Sequence, residues 1–246
     1  MEILELITSR EAGLTFRQIS EELHVPRSSL HGLLTTMVEA GWIDYDPVTR
    51  AFWLGIRTLE VGNAYLRALD VPERARPYME RIRDTIDETV QLSVLDGRFN
   101  VYVGKVDGRQ ALALASAVGR RLPAHATGVG KVLLAGLSQE ELDRVIGSAD
   151  LERYTAHTLV DKDELYRHLD LIRRRGYGTD EEEYTVGVRC VAVPLRAHNG
   201  SVTAAMSVSV PAIRFDEKRK QQALTLLTQA ASEISVALGY RARSVV

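Results

Sequence analysis

The sequence predicts an α+β protein, with a winged helix-turn-helix over residues 1–54, a linker helix over residues 55–70 and a larger domain over residues 71–246 built on a mainly antiparallel sheet. Three observations predict it. Short segments of helical periodicity give way at Trp42 to β-rich residues on either side of a proline-containing turn. A helical stretch of mixed polarity with few core residues follows. Beyond it, β-like runs punctuated by Asp-Gly and Asn-Gly alternate with amphipathic helices.

The first helix ends with Ile3–Ile7 and closes at Ala12-Gly13. Thr15-Phe16-Arg17-Gln18 has the form of a capping box, with Phe16, Ile19 and Leu23 along one face of the helix that follows. His24-Val25 breaks it, and Pro26 suits the first turn of a third helix. There Leu30, Leu33, Leu34 and Met37 form the expected core stripe, leaving Arg27, Ser28, His31 and Thr35 on the opposite side. Trp42–Tyr45, the turn Asp46–Arg50 and Ala51–Leu54 read as a hairpin. Gly55 to about Leu69 is the linker helix, and Val71-Pro72 starts a helix with Ala75, Met79, Ile82 and Ile86 in one stripe.

In the larger domain, Val90–Leu95, Val101–Val106 and Ala111–Ala117 read as strands separated by Asp96-Gly97 and Asp107-Gly108. Gly130–Leu137 reads as a helix fed by a glycine-rich turn, and Ser138-Gln139-Glu140-Glu141 as a second capping box. Asp161–Arg175 is a helix stopped by Gly176. Strands Cys190–Leu195 and Val202–Val210 flank Asn199-Gly200, and a last helix, Asp216–Leu238, is expected to bury Leu224, Leu227, Ala231 and Ile234.

Composition narrows the function classes. The single cysteine, Cys190, excludes an intrachain disulfide framework or a multi-cysteine zinc site and fits a reducing compartment. No apolar run reaches the ~20 residues of a membrane span and residues 1–25 lack a signal-peptide layout, so a cytoplasmic location without membrane contact is expected. Net charge is −2, and residues 1–54 hold four arginines against eight carboxylates. Any nucleic-acid contact must therefore rest on local charge. The six histidines are scattered, offering no clustered metal ligands, and no cofactor is implied.

Five stretches together resemble the IclR family of bacterial regulators: Leu23–Ser29 (LHVPRSS), Leu122–Lys131 (LPAHATGVGK), Arg175–Glu182 (RGYGTDEE), Gly187–Ala192 (GVRCVA) and Ala205–Ser209 (AMSVS), in register across essentially the whole chain. One departure is visible, because the first helix starts almost at Met1, where the family usually has further residues, often including a basic one. The resemblance implies that the larger domain is GAF-like and binds a small effector, that dimers pair into tetramers, and that the effector changes repression or activation.

From the pattern itself, Arg27, Ser28, Ser29 and His31 stand where the start of a recognition helix enters the major groove, with Arg17 and Thr35 beside them and Arg50 at the wing tip. Double-stranded operator DNA read by a homodimer or homotetramer is the expected partner. Thr127–Lys131 is no phosphate loop, since His125 stands where that motif needs glycine and Val132 where it needs Ser or Thr. Free amides at a helix start suit a carboxylate instead. Ser207 and Ser209, two apart on a strand, share a face. The resemblance implies that an organic acid is held by the Gly128 and Val129 amides with Asp180, Cys190, Ser207 and Ser209, between apolar walls from Leu114 and Val188. Two other readings compete: a metal- or redox-responsive regulator, and a hydrolase using Cys190, His125 and Asp180. Against the hydrolase, Cys190 lies in an apolar strand with no glycine elbow and, on the sequence, no helix N-terminus beside it. No catalytic residue is assigned.

Overall fold

Residues 2–10, 13–109, 117–147 and 150–241 are described by a computed structural model, in which the chain divides into two units, Met1–Leu69 and Asp70–Val246.

The first unit runs α1 (Glu2–Thr8), β1 (Leu14–Thr15), α2 (Phe16–Leu23), α3 (Arg27–Glu39), β2 (Ile43–Asp46), β3 (Ala51–Leu54) and α4 (Ile56–Leu69). The α2 capping box forms as the sequence predicts, since Thr15 Oγ1 accepts the Gln18 N–H at 3.4 Å and Gln18 Oε1 accepts the Thr15 N–H at 2.8 Å. His24 ends the helix in the left-handed region, φ 54°, and α3 restarts immediately after Pro26. Ile19, Leu30, Leu34 and Ile43 are fully buried at the centre of a small core with Ile3, Ile7 and Phe52. Each such side chain contributes about 1.5–3 kcal/mol.

Leu33 is 48% exposed, contrary to the expected stripe. Successive helical residues lie about 100° apart, so with Leu30 and Leu34 inward Leu33 swings to the rim, and Met37 and Val38 close the core instead. A feature absent from the sequence reading is β1, whose two residues pair with β3 (Leu14 opposite Phe52) to give an antiparallel sheet in the order β1-β3-β2.

The second unit runs α5 (Val71–Ile86), β4 (Thr89–Asp96), β5 (Phe99–Val106), β6 (Arg121–Pro123), a 3₁₀ turn (Ala124–Ala126), α6 (Gly128–Ala135), α7 (Gln139–Ile146), α8 (Lys162–Arg175), β7 (Gly178–Glu181), β8 (Val188–Arg196), β9 (Val202–Pro211) and α9 (Glu217–Ala237). Among the described residues its sheet has the order β6-β5-β4-β9-β8-β7, antiparallel throughout. Helices α5 and α9 cover one face and α6 with α8 the other.

Asp96-Gly97 makes the β4–β5 turn and Asn199-Gly200 the β8–β9 turn. Asp107-Gly108 leads toward residues 110–116, so the expected strand Ala111–Ala117 lies outside the described residues except Ala117, which is not in a strand. Helix α6 begins two residues before the predicted Gly130, because the Thr127 hydroxyl accepts the Gly130 N–H at 3.1 Å and caps it there. In α9, Ala223, Leu227, Ala230 and Ile234 are buried and Leu224 only half-buried. Alanines let this helix lie close to the sheet, leaving the larger leucine at the margin.

Candidate functional site

Two places concentrate the predicted residues. In the first unit, α3 and the β2–β3 hairpin face each other across an open cleft of about 750 Å³ whose walls include Arg17, Arg27, His31, Thr35 and Arg50. Ser28 and Ser29 are exposed on the first turn of α3, outside that lining. The hairpin tip is fixed by Asp46, whose carboxylate accepts from the Val48 N–H at 2.8 Å and the Thr49 hydroxyl at 2.7 Å. These bonds hold the Asp46 carboxyl below its ordinary range. Arg50 follows with φ 55°. Arg17 is paired with Glu21 at 2.7 Å in full solvent, an exchangeable contact of small worth.

In the second unit a small pocket with about 40 Å³ of free space lies between the start of α6 and the sheet face formed by β4, β9, β8 and β7. It brings together Gly128, Val129, Asp180, Val188, Cys190, Ser207 and Ser209. Leu114, the remaining predicted wall, lies outside the described residues. Strand register explains the convergence: Asp180 is opposite Cys190, Cys190 opposite Ser209, and Gln91 opposite Ser207. One face thus carries all five, while Met206, Val208 and Val210 turn the other way.

The first turn of α6 seals one side. A Cβ added at Gly128 would stand 2.5 Å from Cys190 Sγ, and one at Gly130 2.3 Å from the Ala124 carbonyl oxygen. Real Cβ atoms do not approach so closely, so glycine is what lets the helix reach the sheet. The Gly128 N–H is directed at the thiol and favours thiolate. This corrects the expectation that no helix N-terminus adjoins Cys190. Burial and the Asp180 carboxylate outweigh that amide and Lys131, and the thiol is pushed well up. A hidden, protonated thiol is a poor nucleophile. His125, the other residue considered for a relay, has Nε2 3.0 Å from the Glu152 carbonyl oxygen and does not line the cavity.

Asp180 is pushed up to about 7, chiefly by burial and secondly by Glu183, against the Glu183 N–H that it accepts at 2.7 Å and the charge of Lys131. Lys131 and Glu183 form an ion pair in which both side chains are buried. Glu183 Oε2 is the one buried side-chain polar atom among the described residues without a hydrogen bond.

Sequence reasoning missed Gln91, Tyr102, Thr127 and Tyr184, which also line the cavity. Gln91 Oε1 accepts from Ser209 Oγ at 2.8 Å and Ser207 Oγ at 3.3 Å. A signal for it existed, since Thr89, Gln91 and Ser93 are polar at alternate positions of an otherwise apolar strand. Among the described residues, no three His, Cys, Asp or Glu side chains are placed to hold a metal ion, and no helix is long and apolar enough to cross a membrane.

Comparison with known proteins agrees over both units. Residues 1–47 match the IclR helix-turn-helix domain, and residues 63–236 match the family described as bacterial transcriptional regulator IclR C-terminal. The chain is 36% identical over 242 residues to the HTH-type transcriptional regulator XynR of Escherichia coli, covering 98% of this chain and 96% of that one. The crystal structure of the Thermotoga maritima IclR superposes with TM-score 0.79 at 30% identity, covering 97% of this chain and 96% of the other. An IclR homolog from Microbacterium hydrocarbonoxydans, complexed with 4-hydroxybenzoate, superposes with TM-score 0.80 at 28% identity, covering 91% and 90%. With a winged helix-turn-helix ahead of an antiparallel ligand domain, and both halves matched in order, this chain belongs to the IclR family of bacterial transcriptional regulators.

Proposed function

We propose that this regulator acts in the cytoplasm, binds operator DNA as a dimer or tetramer through Arg17, Arg27, Ser28, Ser29, His31, Thr35 and Arg50, and responds to a small organic acid held in the second-unit cavity. Residues 1–54 form the DNA-binding domain, 55–70 the linker helix and 71–246 the effector-binding and oligomerisation domain. The observation that carries the reading is the cavity itself, where Gly128 and Val129 at the start of α6 meet Asp180, Ser207 and Ser209 on a buried sheet face. Helix-terminal amides suit a carboxylate and the hydroxyls suit further oxygens, while Val188 shields the carbon skeleton. The relative bound to 4-hydroxybenzoate supports an acid as ligand.

Self-association is supported by α4. Ile56 and Leu59 are 66% and 57% exposed, and with Asn63 and Leu66 they occupy positions spaced three and four apart in the sequence. That is the spacing of a coiled-coil seam, in which a single Asn sets register. A dimer offers two recognition helices to half-sites about one or more helical turns apart. Few basic residues then imply a shallow salt dependence.

The test is an anisotropy titration of DNA upstream of the regulator's own gene, with and without a panel of small organic acids. Arg27→Ala should weaken operator binding about 5- to 150-fold, the range of one lost base contact, with effector binding unchanged. Ser207→Ala with Ser209→Ala should abolish the acid's influence and leave acid-free affinity near wild type. Unchanged affinity in the first variant, or a wild-type response in the second, overturns the respective assignment.

A further inference from the structure

A serine hydroxyl has one proton to donate and two lone pairs with which to accept. In this cavity both protons are committed. Ser207 Oγ and Ser209 Oγ lie 3.3 Å and 2.8 Å from the same atom, Gln91 Oε1, and a carbonyl oxygen can only accept. Both serines are therefore donors in these bonds, and what remains to them for a ligand is lone pairs. Gln91, Ser207 and Ser209 are 3%, 1% and 7% exposed, so bulk water is not at hand to rearrange them. Asp180 on the same wall adds oxygens that only accept once the carboxyl is ionised, above about pH 7.

We propose that Gln91 is a specificity-determining residue of the cavity: by holding the protons of Ser207 and Ser209 it makes the strand wall an acceptor surface, which selects organic acids bearing a hydroxyl over the matched oxo acids. The inference rests on the reading of the cavity as an organic-acid site. A ligand hydroxyl donates to a serine oxygen with the Gln91 bonds intact. A ligand carbonyl meets lone pairs unless a serine turns its proton away from Gln91, and that exchange removes one buried hydrogen bond within the protein. Its net worth corresponds to about three- to tenfold in affinity.

Isothermal titration of the full-length protein at pH 8, where Asp180 is mainly ionised, with two matched pairs, lactate against pyruvate and mandelate against phenylglyoxylate, measures the selection. In wild type the hydroxy acid should bind about three- to tenfold tighter than its oxo partner. Gln91→Met, similar in length but without the acceptor, should bring the ratio within about twofold. Gln91→Glu, which keeps acceptor oxygens, should retain the preference while weakening both acids through added charge. Circular dichroism establishes that each variant folds. Should Gln91→Met not fold, Ser207→Ala with Ser209→Ala removes the same protons: both acids should bind it more weakly than wild type, and with equal affinity. Acids that bind wild type with no preference, or a ratio that survives in Gln91→Met or in the serine double variant, overturn the role of Gln91 and leave the site assignment standing. No binding of any of the four acids at millimolar concentration overturns the organic-acid reading and this inference together.

Discussion

Replacing Asp180 by Asn should make the second unit more stable, and the gain should grow with pH. In the folded chain Asp180 is pushed up to about 7 from the ordinary 3.8, chiefly by burial. A carboxyl with a raised folded pKa binds its proton more tightly when folded, so its contribution is intact below about pH 4 and is lost as pH climbs to about 7. That rise corresponds to about 4 kcal/mol at pH 8 and about 2 kcal/mol at pH 5. Asparagine keeps an oxygen to accept the Glu183 N–H and carries no charge to desolvate. Moving from pH 5 to pH 8 should therefore raise the stability of Asp180→Asn over wild type by about 2–3 kcal/mol. His125 and His168, both lowered mainly by burial, cancel to a first approximation in the difference between the two proteins. Urea unfolding at pH 5, 6, 7 and 8 followed by far-ultraviolet circular dichroism reads the effect. Both tryptophans, Trp42 and Trp53, are in the first unit, so tryptophan fluorescence provides an internal reference that should not move. Parallel stability–pH curves for the two proteins would refute the reasoning.

Two further outcomes follow from the packing of α6. Gly128→Ala should destabilise by about 1–3 kcal/mol through overpacking against Cys190 Sγ, and Cys190→Ala in the same chain should recover most of the loss; additive losses in that double-mutant cycle would exclude the contact as the cause. Glu183→Gln should leave Lys131 buried without its countercharge and cost about 3–5 kcal/mol; a denaturant midpoint unchanged from wild type would exclude the pair as a contributor to the fold.

The two sites differed in how openly the sequence displayed them. Ser207 and Ser209 were legible because alternation on a strand is a local rule, and Thr15 and Ser138 because capping boxes span four residues. The start of α6 was misplaced by two residues, since the Thr127 cap competes with glycines that locally favour a turn. Leu33 was misassigned because periodicity gives a stripe's direction and not its width, which depends on how far α1, α2 and the hairpin wrap around α3. The Lys131–Glu183 pair and the Gly128–Cys190 approach join residues more than fifty positions apart, and no local pattern encodes such a meeting. Gln91 carried the same alternating signal as the serines. A single amide on a buried strand has no chemistry of its own until its partners across the ladder are known.

Every residue of α6 from Gly128 to Ala135 is buried, and its first turn touches the sheet and the 3₁₀ turn where even a methyl group would collide. For the diversification of such regulators this divides the cavity into two inheritances. The helix side offers mutation almost nothing, because enlarging Gly128 or Gly130 damages the fold before it can alter a ligand contact. The strand side, at positions such as Gln91, Val188 and Ser207, consists of side chains that can be exchanged without moving backbone. A descendant of this chain can thus acquire a new effector by recolouring one wall while inheriting the other unchanged, so successive ligands would share the end that meets α6 and differ in the end that meets the sheet.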